Sequence, residues 1–148
     1  MSYSPNFRGN AANAASRQNQ TGYVNGTGST INIGTPVSTL ANGMMSPTDV
    51  TSQASVQAFV GLCATTTPSA AKAQVVSAGR LENVSTGFNV GDAIYIGLDG
   101  TLINVKPDIG VAGFASGNFL VFVGVVVQNE FNASAQDIQV FLQVFGEL

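Results

Sequence analysis

Three aspartates, Asp92, Asp99 and Asp108, form the densest set of acidic residues in this chain and are its best candidates for chemistry. Clustered carboxylates can bind calcium or act together as a general acid and base. However, Asp92 follows a glycine at a strand entrance, Asp99 precedes Gly100, and Asp108 follows Pro107. Asp is common at such positions, because its carboxylate forms hydrogen bonds with the nearby backbone of a turn. Their spacing also departs from a calcium-binding loop, which needs oxygens at alternate positions and then a distant Glu. We therefore predict that all three stabilise turns.

The other side chains that commonly do chemistry are scarce. The sequence has no histidine and one cysteine, Cys63, within the apolar run 58–64. We predict that Cys63 is a buried core residue, because no histidine is present to lower the pKa of its thiol. No serine lies in a Gly-x-Ser-x-Gly elbow, and the glycine-rich stretches 22–34 and 110–117 lack the lysine of a phosphate-binding loop. We therefore predict that the protein is not an enzyme and holds no cofactor and no metal.

The N-terminal part of the chain differs from the rest in composition. The first 48 residues contain no Asp or Glu, and Arg8 and Arg17 are their only charges. Pro, Gly and Asn interrupt residues 1–28, where apolar residues show no period, so we predict an extended arm without regular secondary structure. The residues expected to dock such an arm on a partner's surface are Phe7, Arg8, Arg17 and Tyr23.

The remainder predicts an all-β fold, with a compact body at 58–148 that is joined to the arm by a strand-containing segment at 29–57. Alternating or apolar runs bounded by turn residues predict the strands. One helical turn is predicted at 67–72, with Thr67 as its N-cap and Pro68 at its first position. The predicted strands are 29–33, 37–40, 49–51, 58–64, 74–78, 80–84, 93–97, 101–105, 119–128 and 137–145, with a break at Gly79 and an Asp99-Gly100 hairpin.

The last two predicted strands indicate where the chain meets another copy. Residues 119–127 are apolar on both faces, which is typical of a central strand or one sealed beneath a neighbour. In the final strand Ile138 and Val140 alternate with polar residues, while Phe141 and Phe145 fall on the face expected to be exposed. The interface predicted from these strands consists of Phe119, Val121, Val123, Phe141 and Phe145.

The charge content favours assembly with other proteins. Charged residues make up 9% of the chain and hydrophobic residues 45%, whereas a typical soluble domain has about 25% charged residues. The net charge of −3 divides into +2 for residues 1–48 and 3 − 8 = −5 for the remainder.

Lys72, Arg80 and Lys106 are scattered among acids, so we expect no nucleic-acid partner. The longest apolar run is half the length of a membrane-spanning helix, so we expect no membrane partner either.

Residues 88–100, Phe-Asn-Val-Gly-Asp-Ala-Ile-Tyr-Ile-Gly-Leu-Asp-Gly, resemble a recurrent pattern in small virion proteins of tailed bacteriophages. Pro107, the Val-Gly-Val-Val run at 123–126 and the closing residues 137–148 resemble the same compact β module, so the resemblance covers about residues 58–148. It implies a β-barrel or sandwich that trimerises on a capsid as a decoration or cement protein, or that lies in a tail or baseplate.

This resemblance yields a main functional expectation and a first alternative, and a second alternative is weighed apart from it. The main one is a capsid decoration protein that forms a homo-oligomer, with a trimer favoured, on the major capsid protein. It would be made in the host cytoplasm and located at the virion surface. The first alternative is a tail or baseplate component that adapts a fibre or receptor-binding protein. The second is a carbohydrate-binding β module, against which the absence of Trp and the scattered positions of Tyr3, Tyr23 and Tyr95 argue.

Overall fold

The described part of the chain forms one open, nine-stranded sheet and one short helix. The computed structural model describes residues 18–148, with side chains described for 21–141 and 145–148. Neighbouring strands are antiparallel in the order β3-β2-β4-β5-β9-β8-β6-β7, and β1 pairs with β5 off this path. The all-β fold class is confirmed. The elements are β1 Gln18–Val24, β2 Pro36–Thr39, β3 Met45–Pro47, α1 Gln53–Gln57, β4 Phe59–Cys63, β5 Lys72–Leu81, β6 Ala93–Ile96, β7 Leu102–Ile103, β8 Phe119–Gln128 and β9 Gln136–Glu147.

Strand β5 joins the two halves of the sheet because both of its edges are paired. Val76 is opposite Leu62 of β4 on one edge and Gln20 of β1 on the other. Gly79 is opposite Val140 of β9 on one edge and Gln18 of β1 on the other. Since β1 pairs with residues 72–79 along one edge, β4 and β9 must share the other edge in succession. The predicted break at Gly79 is wrong: its φ of +95° accommodates this change of partner inside one continuous strand.

The main hydrophobic core lies where the two halves face each other. Val56 of α1, Leu62 of β4 and Val121 of β8 are fully buried in the same cluster. The amide of Phe119 donates to the carbonyl of Val50 at 2.8 Å, which ties the start of β8 to the segment before α1. A second cluster covers the other side of β2, β4 and β5, and it consists of Ile31, Val37, Met45, Cys63, Ala73 and Val75. The prediction of a buried Cys63 is confirmed.

The single helix lies elsewhere than predicted. Helix α1 begins after Ser52, whose Oγ accepts from the amide of Ser55 at 3.2 Å, and Val56 is its buried contact. The predicted turn at 67–72 is not helical, because Thr67 pairs with Ile31 as an isolated bridge and Ala70 has a φ of +66°. A left-handed residue ends helical backbone, so tertiary pairing overrides the Thr-Pro capping signal.

Part of the predicted arm is a strand. Residues 18–24 pair with β5, so the prediction that residues 1–28 lack regular structure is wrong for this stretch. Backbone pairing does not require an apolar period, which is why the sequence pattern missed it. Asn25 follows, and its buried amide donates to the carbonyls of Ser29 at 2.7 Å and Thr67 at 3.0 Å. The predicted division of the chain into segments at residues 28 and 58 stays a prediction. Within segment 29–57, strands β2 and β3 belong to the same sheet as the later strands, and α1 contributes Val56 to the main core.

Truncation separates the two parts of the N-terminal segment. Deleting residues 1–17 should leave the free energy of unfolding within about 0.5 kcal/mol of the full chain, since β1 and Asn25 remain. Deleting residues 1–28 should lower it by about 2 kcal/mol or more, because it exposes an edge of β5 and removes the backbone hydrogen bonds of Asn25 with Ala70 and Ala71. Urea unfolding followed by circular dichroism measures both. Equal stability of the two truncated proteins would contradict a structural role for β1.

Candidate assembly surface

The three candidate aspartates stabilise turns, as predicted. Asp99 Oδ1 accepts from the amide of Thr101 at 3.1 Å and from its hydroxyl at 2.7 Å, inside the hairpin between β6 and β7. Asp92 Oδ2 accepts from the amide of Asn89 and from Asn104 Nδ2, both at 3.0 Å. Asp108 Oδ1 accepts from the amide of Ile109 at 2.8 Å. Among residues whose side chains are described, no three His, Cys, Asp or Glu side chains form a group that could hold a metal ion.

Two of these turns couple folding to pH. The hydrogen bonds from the Thr101 side chain and backbone lower the pKa of Asp99 below its ordinary value of 3.8. The Asn104 side chain, followed by the Asn89 amide, lowers the pKa of Asp92 in the same direction. A carboxyl whose pKa is lower in the folded state stabilises the fold above the unfolded value, and that contribution is lost as pH falls through the folded value.

Replacing Asp99 should therefore reduce the acid sensitivity of the fold. Asp99→Asn keeps an oxygen that accepts from Thr101 but cannot titrate, so its free energy of unfolding should fall less than that of the wild type between pH 6 and pH 2.5. Urea midpoints at the two pH values measure this difference. An identical pH dependence for Asp99→Asn and wild type would refute the coupling.

An aromatic cluster lies on the outward face of the central strands. The rings of Tyr95 on β6 and Phe122 on β8 meet edge to face with centroids 5.7 Å apart. Phe122 in turn stacks on Phe141 of β9, with centroids 6.0 Å apart and 15° between the ring planes. Tyr95 and Phe122 are half-buried and Phe141 is 45% exposed. We call Tyr95, Phe122 and Phe141 the outer aromatic face.

An irregularity in three adjacent strands positions this face. On one side of β8, Ile94 lies opposite Gly124 and Tyr95 opposite Phe122, so Val123 is an extra residue of a bulge. On the other side, Gly124 lies opposite Val140 and Phe122 opposite residue 144, so β9 carries three residues against one. The strands approach so closely here that a Cβ at Gly124 would overlap the carbonyl oxygen of Gln139.

The irregularity also separates the two phenylalanines that were predicted to share a face. Phe145 lies directly opposite buried Val121, so both point to the same side of the sheet, and its ring packs edge to face on Phe119 at 6.5 Å. Phe141 stacks on the opposite side with Phe122. Both are exposed, at 45% for Phe141 and 41% for Phe145. The alternation read from the sequence is wrong beyond Phe141, because the extra residues in β9 reverse the direction of the side chains.

Three of the five predicted interface residues belong to the core of this chain. Phe119 is 7% exposed, and Val121 and Val123 have no exposed surface. A side chain that is buried within one chain offers no area to a second, so their assignment to an interface is corrected. The double-sided apolar character of β8 instead reflects a core on one side and the outer aromatic face on the other.

The predicted docking residues of the arm are distributed differently. Tyr23 lies on β1, half-buried, and packs against the second core cluster, so it serves the fold. Phe7, Arg8 and Arg17 lie outside the described residues.

One exposed aromatic residue escaped the sequence analysis. Phe131 is 81% exposed at the turn between β8 and β9. Asn129 Oδ1 accepts from the amides of Phe131 at 2.9 Å and Asn132 at 2.8 Å, while its Nδ2 donates to buried Asp137 at 2.8 Å. The two asparagines around Phe131 are a turn signal that could have located this ordered loop.

Two comparisons with known proteins found no match for this chain. No family model matches it, and neither does any curated protein. Within the described residues, no helix has the length and apolar character needed to cross a membrane.

Proposed function

We propose that this protein is a structural component of a tailed-bacteriophage particle, a capsid decoration protein that forms homo-oligomers, with a trimer favoured, on the major capsid protein. The observation that carries the proposal is the outer aromatic face. Stacked aromatic rings left partly exposed on the centre of a sheet are typical of protein interfaces, where Tyr and Phe are enriched.

The charge distribution supports an assembly role. With 9% charged residues, the chain has few groups that oppose close contact between copies. Phe141 and Phe122 lie on the two central strands of one half of the sheet, so a second copy can cover them without disturbing the strand pairing. Their stacking restricts the rings before contact, which lowers the entropic cost of ordering them in an interface.

The particle assignment rests on the resemblance of residues 88–100, 123–126 and 137–148 to phage virion modules. Residues 93–103 form the hairpin that the resemblance contains, and 123–126 and 137–147 lie on β8 and β9 beside it. The segments that carry the resemblance are therefore neighbours in one sheet, and they include Tyr95 and Phe141 of the outer aromatic face.

Substituting Phe141, the most exposed ring of the outer aromatic face, tests the interface. Phe141→Asp should weaken association by about 2 kcal/mol or more, which is about 30-fold, because it places a charge at the centre of an apolar contact. Light scattering across a dilution series measures the mass. Val105→Asp is a matched control, since Val105 is 50% exposed but lies outside this face. A monomeric wild-type protein, or an unchanged mass for folded Phe141→Asp, would contradict the proposed interface.

Labelling the protein on purified particles tests its location. Gold-labelled antibody should decorate the whole head in a regular pattern if the protein is a decoration protein. Label confined to the tail would replace this proposal with the tail or baseplate role, and particles without label would remove both.

A further inference from the structure

The turn between β8 and β9 presents a single aromatic ring to solvent. Phe131 is 81% exposed, whereas the next most exposed large hydrophobic side chain of the described residues, Ile109, is 60% exposed. Singly exposed apolar residues are common on protein surfaces, so exposure alone assigns no role to this ring. The hydrogen bonds of the loop that carries it distinguish it from other exposed apolar residues.

Polar side chains hold the backbone of this turn on both sides of Phe131. Asn129 Oδ1 accepts from the amides of Phe131 and Asn132, and Gln128 Nε2 donates to the carbonyl of Asn132 at 3.2 Å. Asn129 is itself 5% exposed and donates to Asp137, which has no exposed surface. The backbone that carries the ring is therefore ordered before any partner binds, which lowers the entropic cost of a contact.

A pocket with apolar walls lies beside the same region of the fold. It has a volume of about 230 Å³ and lies between residues 32–35, the loop 83–88 that follows β5, and residues 101–102. We call it the side pocket. Among the described residues that line it, none is acidic or basic, and the apolar ones are Ile33, Val84, Phe88 and Leu102.

The side pocket is large enough and apolar enough to hold a phenyl ring. Val84 belongs to the main core cluster, and Phe88 and Leu102 pack against that cluster, so the core forms one wall of the pocket. Ile33 is 38% exposed and would lose exposed apolar surface if a ring entered. A cavity of about 150 Å³ lined by Leu, Ile and Phe holds benzene, so the pocket has room for the side chain of a phenylalanine.

The ring and the pocket are different surfaces of one chain. The amide of Val84 donates to the Gln136 carbonyl at 2.9 Å, and Gln136 Nε2 donates to the Phe88 carbonyl at 2.6 Å, so the loop 83–88 is tied to the β8–β9 turn. The pocket is lined by the same loop together with residues 32–35 and 101–102. Because Phe131 is 81% exposed, it does not fill the side pocket of its own chain.

We propose that Phe131 of one copy inserts into the side pocket of a second copy. The match in size and apolar character supports this occupant, and the uncharged lining adds no cost of burying an unpaired charge. With 9% charged residues, the chain also has few groups that oppose contact between copies.

This contact has a direction that the outer aromatic face by itself does not supply. Each copy gives its ring to one neighbour and receives a ring from another, which is a head-to-tail arrangement that can close into a ring of three. The inference therefore deepens the proposed homo-oligomer and rests on it, and it names a second surface through which the copies meet.

Removing the ring tests the first half of the contact. Phe131→Ala should weaken association of the full chain about tenfold or more, because buried aromatic anchors carry a large share of interface affinity. Analytical ultracentrifugation over a dilution series measures the association constant. Ile109→Ala is the matched control and should associate like the wild type, because Ile109 is 60% exposed but belongs neither to the side pocket nor to the outer aromatic face.

Filling the pocket tests the second half. Ile33→Trp should weaken association by a similar factor, since the indole takes the place of the incoming ring. If ring and pocket meet, the double variant Phe131→Ala/Ile33→Trp should associate about as strongly as the weaker single variant, whereas independent effects would multiply. Asn32→Trp, at an exposed residue of the same pocket, replaces Ile33→Trp if circular dichroism shows that Ile33→Trp is unfolded.

The outcomes separate this contact from the outer aromatic face. An unchanged association constant for folded Phe131→Ala would overturn the contact, and so would effects of the two substitutions that multiply or a monomeric wild-type protein. If Phe141→Asp nevertheless dissociates the oligomer, the proposed function stands without this contact. Dissociation by Phe131→Ala, non-multiplying effects and an unchanged mass for Phe141→Asp would support the contact and remove the outer aromatic face from the interface.

Discussion

The architecture depends on hydrogen bonding along both edges of one strand, β5. Its residues 72–79 pair with β1 on one edge, while residues 75–76 pair with β4 and residues 79–81 with β9 on the other. Because β4 and β9 follow each other along one edge, the strands beyond them form two separate halves. Each half is apolar on the side that faces the other, so the main core closes between them. Positions in β5 therefore determine both the core and the place where the N-terminal segment enters.

The close approach of β8 and β9 at Gly124 has a different consequence, because it determines which side chains reach the surface. A strand that keeps strict alternation would place Phe141 and Phe145 on one face. The bulge in β8 and the extra residues in β9 place the side chains of Phe141 and Phe145 on opposite sides of the sheet. Phe145 therefore packs beside Phe119, and Phe141 packs with Phe122 and Tyr95. The proposed interface is therefore a product of strand irregularity as much as of composition.

Polar side chains in this charge-poor chain mainly serve the backbone. Asn25, Asp99 and Asn129 each bond to amides or carbonyls of a nearby turn. Such bonds order loops that have too few apolar residues to pack. Buried Asp137 extends this role by accepting from the amide of Asn83 at 3.0 Å and from Asn129 Nδ2 at 2.8 Å, which joins the loop after β5 to the β8–β9 turn. These two loops and the exposed Phe131 are thus held by one polar network.

Features that depend on neighbours along the chain could be predicted from the sequence. The all-β class, the hairpin at Asp99-Gly100, the turn role of the aspartates and the bounds 119–128 of β8 follow from local conformational preference and apolar runs. The remaining features depend on the tertiary structure. Strand β1 exists because β5 offers an edge, and Thr67 is not a helix cap because Ile31 pairs with it. Phe145 lies beside Phe119, on the side of the sheet opposite Phe141, because β9 carries extra residues. These outcomes depend on contacts between residues far apart in sequence, whose register no local pattern specifies.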